Sequence, residues 1–281
     1  MRERACGPFF WVYMCCNALN GKRVTVMKEQ LTFEDQAERL KQQLGCPCTY
    51  YPPSDNANPL ISDFCQARAR GKQEGFVPML IAVDELLLEC FEINGEDKTV
   101  EQVRQELLDA PLESGKELLQ KWLREAKEGW AEADPEFYAN WDAHVIGEVS
   151  GGEKIDRFLS LWDYGGKQTI PIVLAEIPVK NPWEVFAYLP FGGWNECPAN
   201  EEHMAVAKYW FEKYGAVPAL MTPDVLEYTI PFGTSVPSWQ ALDLALEQYA
   251  YCNDIVDQGV ETIGRLADGL MKSHNWYFWW D

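Results

Sequence analysis

The chain has 281 residues, of which 47% are hydrophobic and 13% aromatic, enough apolar material for a sizeable core in one or two domains. Charged residues make up 24% of the chain, an ordinary value that argues against extensive disorder. The formal net charge is −20, and a surface of that sign repels phosphate backbones. We therefore expect no nucleic-acid partner and favour a basic protein partner.

The cysteines and the N-terminal segment indicate where in the cell the protein is located. The nine cysteines are odd in number and follow no regular disulfide framework, which predicts reduced thiols in a cytoplasm. The apolar run at residues 9–16 is shorter than the roughly 20 residues that span a bilayer, so no membrane association is expected. Residues 1–26, which precede Met27, are interpreted as an upstream extension that need not belong to the native protein.

Residues 27–165 are predicted to form a mainly helical region with one buried strand. The capping-box pattern Thr32-x-x-Asp35 predicts a helix that Gly45 ends, and similar patterns begin at Thr99 and Ser114. A second helix is expected over residues 59–70, after a loop at 50–58. The apolar run at 76–83 reads as the buried strand, and the glycine-rich segment 150–166 as a linker.

Residues 170–281 alternate between strand and helix patterns and are predicted to form an α/β domain. Pro171 and Pro178 suggest that its first strand lies at a sheet edge. The last strand should place Trp276, Phe278 and Trp280 on one face and lie inside the sheet. Strands are predicted at 170–179, 183–189, 217–221, 225–230 and 276–280, and helices at 200–214, 237–252 and 260–272. The fold class is therefore α+β (mixed α/β), with a central mixed sheet flanked by helices and a helical N-terminal portion.

Cys197 and His203 are the candidates for catalytic chemistry. Cys197 precedes a predicted helix, whose dipole would stabilise a thiolate, and His203 in the first turn could act as its base. Asp254 or Glu196 could orient the imidazole. The alternative is that Cys197 is a buried turn residue and His203 an ordinary helix residue, so no catalytic residue is assigned.

Two polar and aromatic segments are candidates for ligand binding. Trp194 and Asn195 follow paired glycines, so Trp194 could stack on a ligand and Asn195 could hydrogen-bond to it. The same pattern also fits a tight turn whose tryptophan fills the core. No metal site and no cofactor is predicted. Cys46-Pro47-Cys48 lacks a second Cys/His pair at zinc spacing. Carboxylates around Glu247, Asp254 and Asp257 could take a hard cation, but Asp254 is interpreted as a cap of a turn or helix. The ligand-binding candidates are Trp194, Asn195, Glu196, Glu247, Gln248, Tyr251, Asp254, Asp257 and Gln258.

The same segments carry a family resemblance. The run from Ala187 to Pro198, the segment from Glu247 to Gln258 and the closing run from Trp276 to Asp281 occur in order and are specific. Over residues 170–281 the chain resembles the bacterial domain-of-unknown-function family 4253. The resemblance implies a bacterial, cytoplasmic protein and supplies no activity or catalytic residue.

Two functions remain open from the sequence. Between residues 84 and 156 there are 20 Asp and Glu residues against 7 Lys and Arg, which favours a non-enzymatic acidic protein that binds a protein partner, in the manner of an immunity protein or antitoxin. The alternative is an enzyme or small-ligand binder with a pocket around residues 194–197, His203 and residues 247–257.

Overall fold

The structure is a computed structural model that describes residues 31–95 and 98–281. Within these residues, six strands form one mixed sheet in the order β1-β3-β2-β4-β5-β6. The predicted extension over residues 1–26 lies outside the described residues. Thr32–Asp281 make up one compact unit. The expected fold class, a mixed sheet flanked by helices, is confirmed.

The helices and strands have the following bounds. The strands are β1 (Cys48–Tyr51), β2 (Val77–Ala82), β3 (Ile172–Ile177), β4 (Val217–Met221), β5 (Val225–Thr229) and β6 (Asn275–Trp279). The α-helices are α1 (Phe33–Leu44), α2 (Asn58–Glu74), α3 (Glu85–Gly95), α4 (Val100–Asp109), α5 (Gly115–Ala133), α6 (Pro135–Tyr138), α7 (Asn200–Tyr214), α8 (Ser238–Tyr251) and α9 (Ile263–Leu270). No helix within residues 31–95 and 98–281 is long and apolar enough to cross a membrane.

The predicted helix ends are confirmed where the sequence carries caps. The Asp35 amide donates to Thr32 Oγ1 over 3.2 Å, and the reciprocal bond from the Thr32 amide completes the capping box. The box at Thr99 is also complete. Gly45 ends α1 with a positive φ of 62°, a conformation that glycine adopts without strain.

The expected edge position of β3 is wrong. β3 lies between β1 and β2 and pairs with both in antiparallel register. Pro171 and Pro178 flank the strand Ile172–Ile177 instead of interrupting it, so every residue of the strand itself keeps its amide donor. The outer neighbour, β1, falls partly in a segment expected to be a loop.

The strand expected over residues 183–189 is wrong as well. Pro182–Ala187 form a 3₁₀ helix. The Asn181 amide donates to Glu184 Oε2 over 3.0 Å, and its side-chain amide donates to Glu184 Oε1 over 2.7 Å. An Asn-Pro-x-Glu start is a helix signal, and here it outweighs the apolar alternation of the residues that follow.

Two apolar clusters cover the two faces of the sheet. Met79 and Ile81 of β2 belong to the larger cluster, together with α1, α7 and α8. Leu80, between them, belongs to the smaller cluster under α2, which Phe158 joins from the segment before β3. Since successive side chains of a strand point to opposite faces, a fully buried β2 must be apolar at every position.

The last strand combines one confirmed and one wrong expectation. Trp276, Phe278 and Trp280 are buried, whereas Tyr277 and Trp279 are half-buried, as the alternation predicts. β6 nevertheless lies at the edge of the sheet, where β5 is its one partner among the described residues. The strand is therefore held in the fold by its pairing with β5 and by the burial of one face against the helices.

We expect Phe278→Ala to lower the free energy of unfolding by about 3–5 kcal/mol, because it would leave a cavity among buried aromatic rings. Tyr277→Ala, on the opposite side of the same strand, should cost roughly 1–2 kcal/mol because its ring is only partly removed from water. Urea denaturation of both variants makes the comparison. Equal losses would mean that the two faces of β6 contribute alike to stability.

Candidate functional site

The structure brings Cys197 and His203 together inside the larger cluster. Cys197 Sγ lies 3.6 Å from His203 Nε2, and the Tyr251 hydroxyl is at hydrogen-bond distance from Nδ1. The imidazole stacks on Phe186 with ring centroids 5.1 Å apart. His203 has no exposed surface and Cys197 is 4% exposed, so no substrate reaches either group.

The electrostatics of this pair follow from its burial. Burial lowers the pKa of His203 to about 3, because a charged imidazolium loses its hydration in the apolar core. Burial also raises the pKa of the Cys197 thiol, with the neighbouring Cys252 and Cys90 adding to the effect. Both groups are therefore neutral at pH 7, and this environment does not support a thiolate nucleophile with an imidazole base.

The paired glycines allow the loop to reach the histidine. Gly192 and Gly193 have φ values of 88° and 76°, which favour glycine. A methyl group on Gly192 would overlap the Pro198 carbonyl oxygen and lie 2.6 Å from His203 Nε2. The close backbone approach is thus made to a core residue of the protein itself.

Three of the ligand-binding candidates converge on Asp281. Asn195 Nδ2 donates to the Asp281 carbonyl oxygen over 2.7 Å, and the Asp281 amide donates to Asp254 Oδ2 over 3.0 Å. Gln258 Nε2 donates to Asp254 Oδ1 over 2.9 Å. These bonds hold Asp281, two residues after the end of β6, so Asn195, Asp254 and Gln258 have a structural role at the surface.

The other candidates are scattered. Gln248 and Tyr251 are buried in the core, and Trp194 is half-buried beside Phe191. Glu196 and Asp257 are exposed. Within the described part of the chain, no group of three or more His, Cys, Asp or Glu residues is placed to hold a metal ion.

Glu247 faces a groove on the outside of the molecule. Its carboxylate accepts hydrogen bonds from the Tyr209 hydroxyl (2.8 Å), the Trp210 indole (3.1 Å) and the Lys213 ammonium (2.8 Å). Burial alone would lower the pKa of Lys213, but its bonds to Glu247 and to Tyr209 outweigh burial and raise it. This network fixes one wall of the groove in a charged, hydrogen-bonded state.

The groove runs between α5, α7 and α8 and has a volume of about 580 Å³. Leucines make its apolar part and charged side chains its edge. A second depression of about 300 Å³ continues it along α5 and shares Gln120 and Leu123 with it. The groove is lined by Lys116, Leu119, Gln120, Leu123, Tyr209, Lys213, Asp243, Leu246 and Glu247.

Helix α5 separates its charges into two stripes. Lys116, Gln120, Leu123 and Lys127 recur at helical spacing along the groove side. The neighbouring stripe, one residue further round the helix, is exposed and consists of Glu117, Lys121, Glu125, Glu128 and Glu132. We call it the acidic stripe; within it, Lys121 Nζ lies 3.9 Å from Glu125 Oε1. The spacing 117-121-125-128-132 is visible in the sequence, but the sites expected from the sequence did not include it.

Comparison with known families concerns the C-terminal part of the molecule. Residues 173–281 match the family described as "Domain of unknown function (DUF4253)". The chain carries a DUF4253 domain. No curated protein and no solved structure matches the chain.

The DUF4253 domain contributes β3 to β6 and helices α7 to α9, whereas β1, β2 and α5 lie upstream of it. The groove therefore has one wall from the upstream region and two from the DUF4253 domain. The buried Cys197–His203 pair lies entirely within the domain.

The buried histidine predicts a specific pH dependence of stability. Unfolded histidine has a pKa near 6.5, and the folded value of about 3 means that the folded state binds fewer protons between these limits. The contribution of His203 is complete above pH 6.5 and is lost as the pH falls toward 3, by up to about 1.4 kcal/mol per pH unit. In His203→Phe, we expect the slope of unfolding free energy between pH 7 and 5 to fall by that amount.

Phe186→Leu is the control for this experiment. It damages the packing against the same imidazole but leaves the histidine in place. Its free energy of unfolding should drop at every pH while the slope stays that of the wild type. An unchanged slope in His203→Phe, measured by urea denaturation, would show that His203 is not the group that takes up the proton.

Proposed function

We propose that this protein is a non-enzymatic binding protein that engages a basic protein partner through helix α5. The observation that carries the proposal is the acidic stripe, because its four glutamates lie on one exposed side of a single helix. The net charge of −20 would attract a basic partner at long range, and the stripe would orient it on contact.

The groove beside the stripe supplies the apolar contact that a charged surface lacks. Leu119 is buried in its floor, and Leu123 and Leu246 are half-buried in its walls. Interfaces combine an apolar centre with a polar rim, and α5 offers both side by side. A partner helix could place apolar side chains in the groove and its basic residues over the stripe.

The proposal includes a location and a class of role. We place the protein in the cytoplasm, a choice that the six free cysteines of the described residues support. An immunity- or antitoxin-like inhibitor covers a basic site on its partner, and an acidic stripe beside an apolar groove suits that task.

The test reverses the charge of the stripe. The wild-type protein should retain a partner from a lysate of the source organism at low salt. The triple variant Glu117→Lys/Glu125→Lys/Glu128→Lys should no longer retain this partner, because the partner's basic residues would then face lysines. Wild-type protein should release the same partner as salt rises, since exposed charges are screened. Quantitative mass spectrometry of the retained proteins gives the readout, and a photo-crosslinking residue in place of Lys121 locates the contact.

The matched control carries the same change in net charge elsewhere. Asp55, Glu201 and Glu212 are exposed acidic residues on α7 and the loop before α2. Their reversal to lysine should leave binding largely intact. Equal loss in both triple variants would point to net charge alone, and no crosslink at position 121 would remove α5 from the interface.

A small-ligand site in the groove is the second candidate. The hydrogen-bonded Tyr209–Glu247–Lys213 network favours it, since a fixed ion pair beside leucines can orient a polar ligand. Glu247 is the one residue of the sequence-predicted pocket that lies here. A panel of small amines and carboxylic acids that raises the melting temperature of the wild type and not of Glu247→Gln would support this function.

A further inference from the structure

Two cysteines face each other at the corner between α1 and β1. Cys46 and Cys48 are separated by Pro47, and their Sγ atoms lie 3.9 Å apart. Both side chains are half-buried, so solvent and small reagents reach them. Gly45, with its positive φ, turns the chain sharply just before the pair.

We propose that Cys46 and Cys48 form a reversible dithiol–disulfide site that reacts with small disulfides. A disulfide needs its sulfurs about 2.05 Å apart, so its formation requires the two side chains to rotate about their Cα–Cβ bonds and approach each other. Cys48 lies in β1, which stands at one end of the strand order among the described residues.

The surroundings assign different roles to the two thiols. The hydrogen bond with Cys46 lowers the pKa of Cys48, burial opposes that change, and the Lys41 ammonium adds to it. The same hydrogen bond and burial raise the pKa of Cys46, and the Arg104 guanidinium opposes this change. We assign the attack on the reagent to Cys48 and the second step to Cys46, an order that single variants can test.

The reaction balances with a disulfide such as oxidised glutathione as the oxidant. The Cys48 thiolate attacks one sulfur of the reagent, its S–S bond breaks, and one thiolate of the reagent leaves. Cys46 then loses its proton to solvent and attacks Cys48 Sγ, which expels the second thiolate. The protein loses two protons and two electrons, and the reagent takes them up to become two thiols.

The other described cysteines differ from this pair. Cys65 is exposed on α2, Cys90 is half-buried on α3, and Cys197 and Cys252 are buried. A metal role for Cys46 and Cys48 lacks further ligands, because no group of three metal-binding side chains occurs among the described residues.

The experiment equilibrates the full chain in buffers of reduced and oxidised glutathione, blocks free thiols and maps the peptides. Trypsin leaves Cys46, Cys48 and Cys65 on one peptide, so chymotrypsin, which cuts after Tyr50, is used. We expect the peptide with Cys46 and Cys48 to lose two hydrogens and escape alkylation, reversibly. Cys65→Ser should behave as the wild type.

Single variants test the order of attack. Cys46→Ser should stop at a glutathione adduct on Cys48, and Cys48→Ser should react several-fold more slowly, because burial still raises the pKa of the Cys46 thiol after its hydrogen bond with Cys48 is lost. Melting temperatures check that both variants fold. Wild-type Cys46 and Cys48 that remain fully alkylated under oxidising buffers, or a Cys46→Ser protein without the adduct, would overturn the proposal.

Discussion

The aromatic contacts of Trp210 hold the DUF4253 domain together. Its ring lies 5.4 Å from Phe278 in a stacked arrangement, and 5.0 to 5.8 Å from Tyr251, Trp276 and Tyr228, which come from α8, β6 and β5. One helix residue thus fastens α7 to the sheet and to α8 at once. His203 lies seven residues earlier on the same side of α7 and must enter the same apolar layer, which is why it is neutral and why its contact with Cys197 belongs to packing.

The sheet of the DUF4253 domain is completed by upstream residues. β3 pairs only with β1 and β2, and β2 in turn pairs in parallel with β4. Without β2, the buried edges of β3 and β4 would face each other across an empty strand position, with their backbone amides and carbonyls unpaired. The boundary at residue 173 therefore marks sequence similarity and does not mark a folding unit, since the core crosses it through the fully buried β2.

Local features of the fold were predictable, whereas its long-range pairing was not. The capping boxes at Thr32 and Thr99 and the alternation in β6 depend on neighbouring residues, so the sequence displays them directly. The position of a strand in the sheet depends on distant segments, and the prolines beside β3 gave the wrong answer for that reason. The same holds for the site: Asn195 and Asp254 were expected to line one pocket, whereas each of them bonds to the backbone of Asp281.

Helix geometry explains why the candidate residues between 247 and 258 do not lie together in one site. Each residue of an α-helix turns by 100°, so Glu247 reaches the groove while Gln248 and Tyr251 enter the core. The same rotation places the residues of α5 in two stripes on different sides of the helix, although charged residues occur along its whole sequence. The surface features that could recognise a partner therefore lie on a helix upstream of the DUF4253 domain, whose α7 and α8 form the opposite walls of the groove. Because α5 packs on both of these helices through its buried side, a change of charge on its exposed acidic stripe alters the surface of the molecule and leaves the aromatic layer around Trp210 in place.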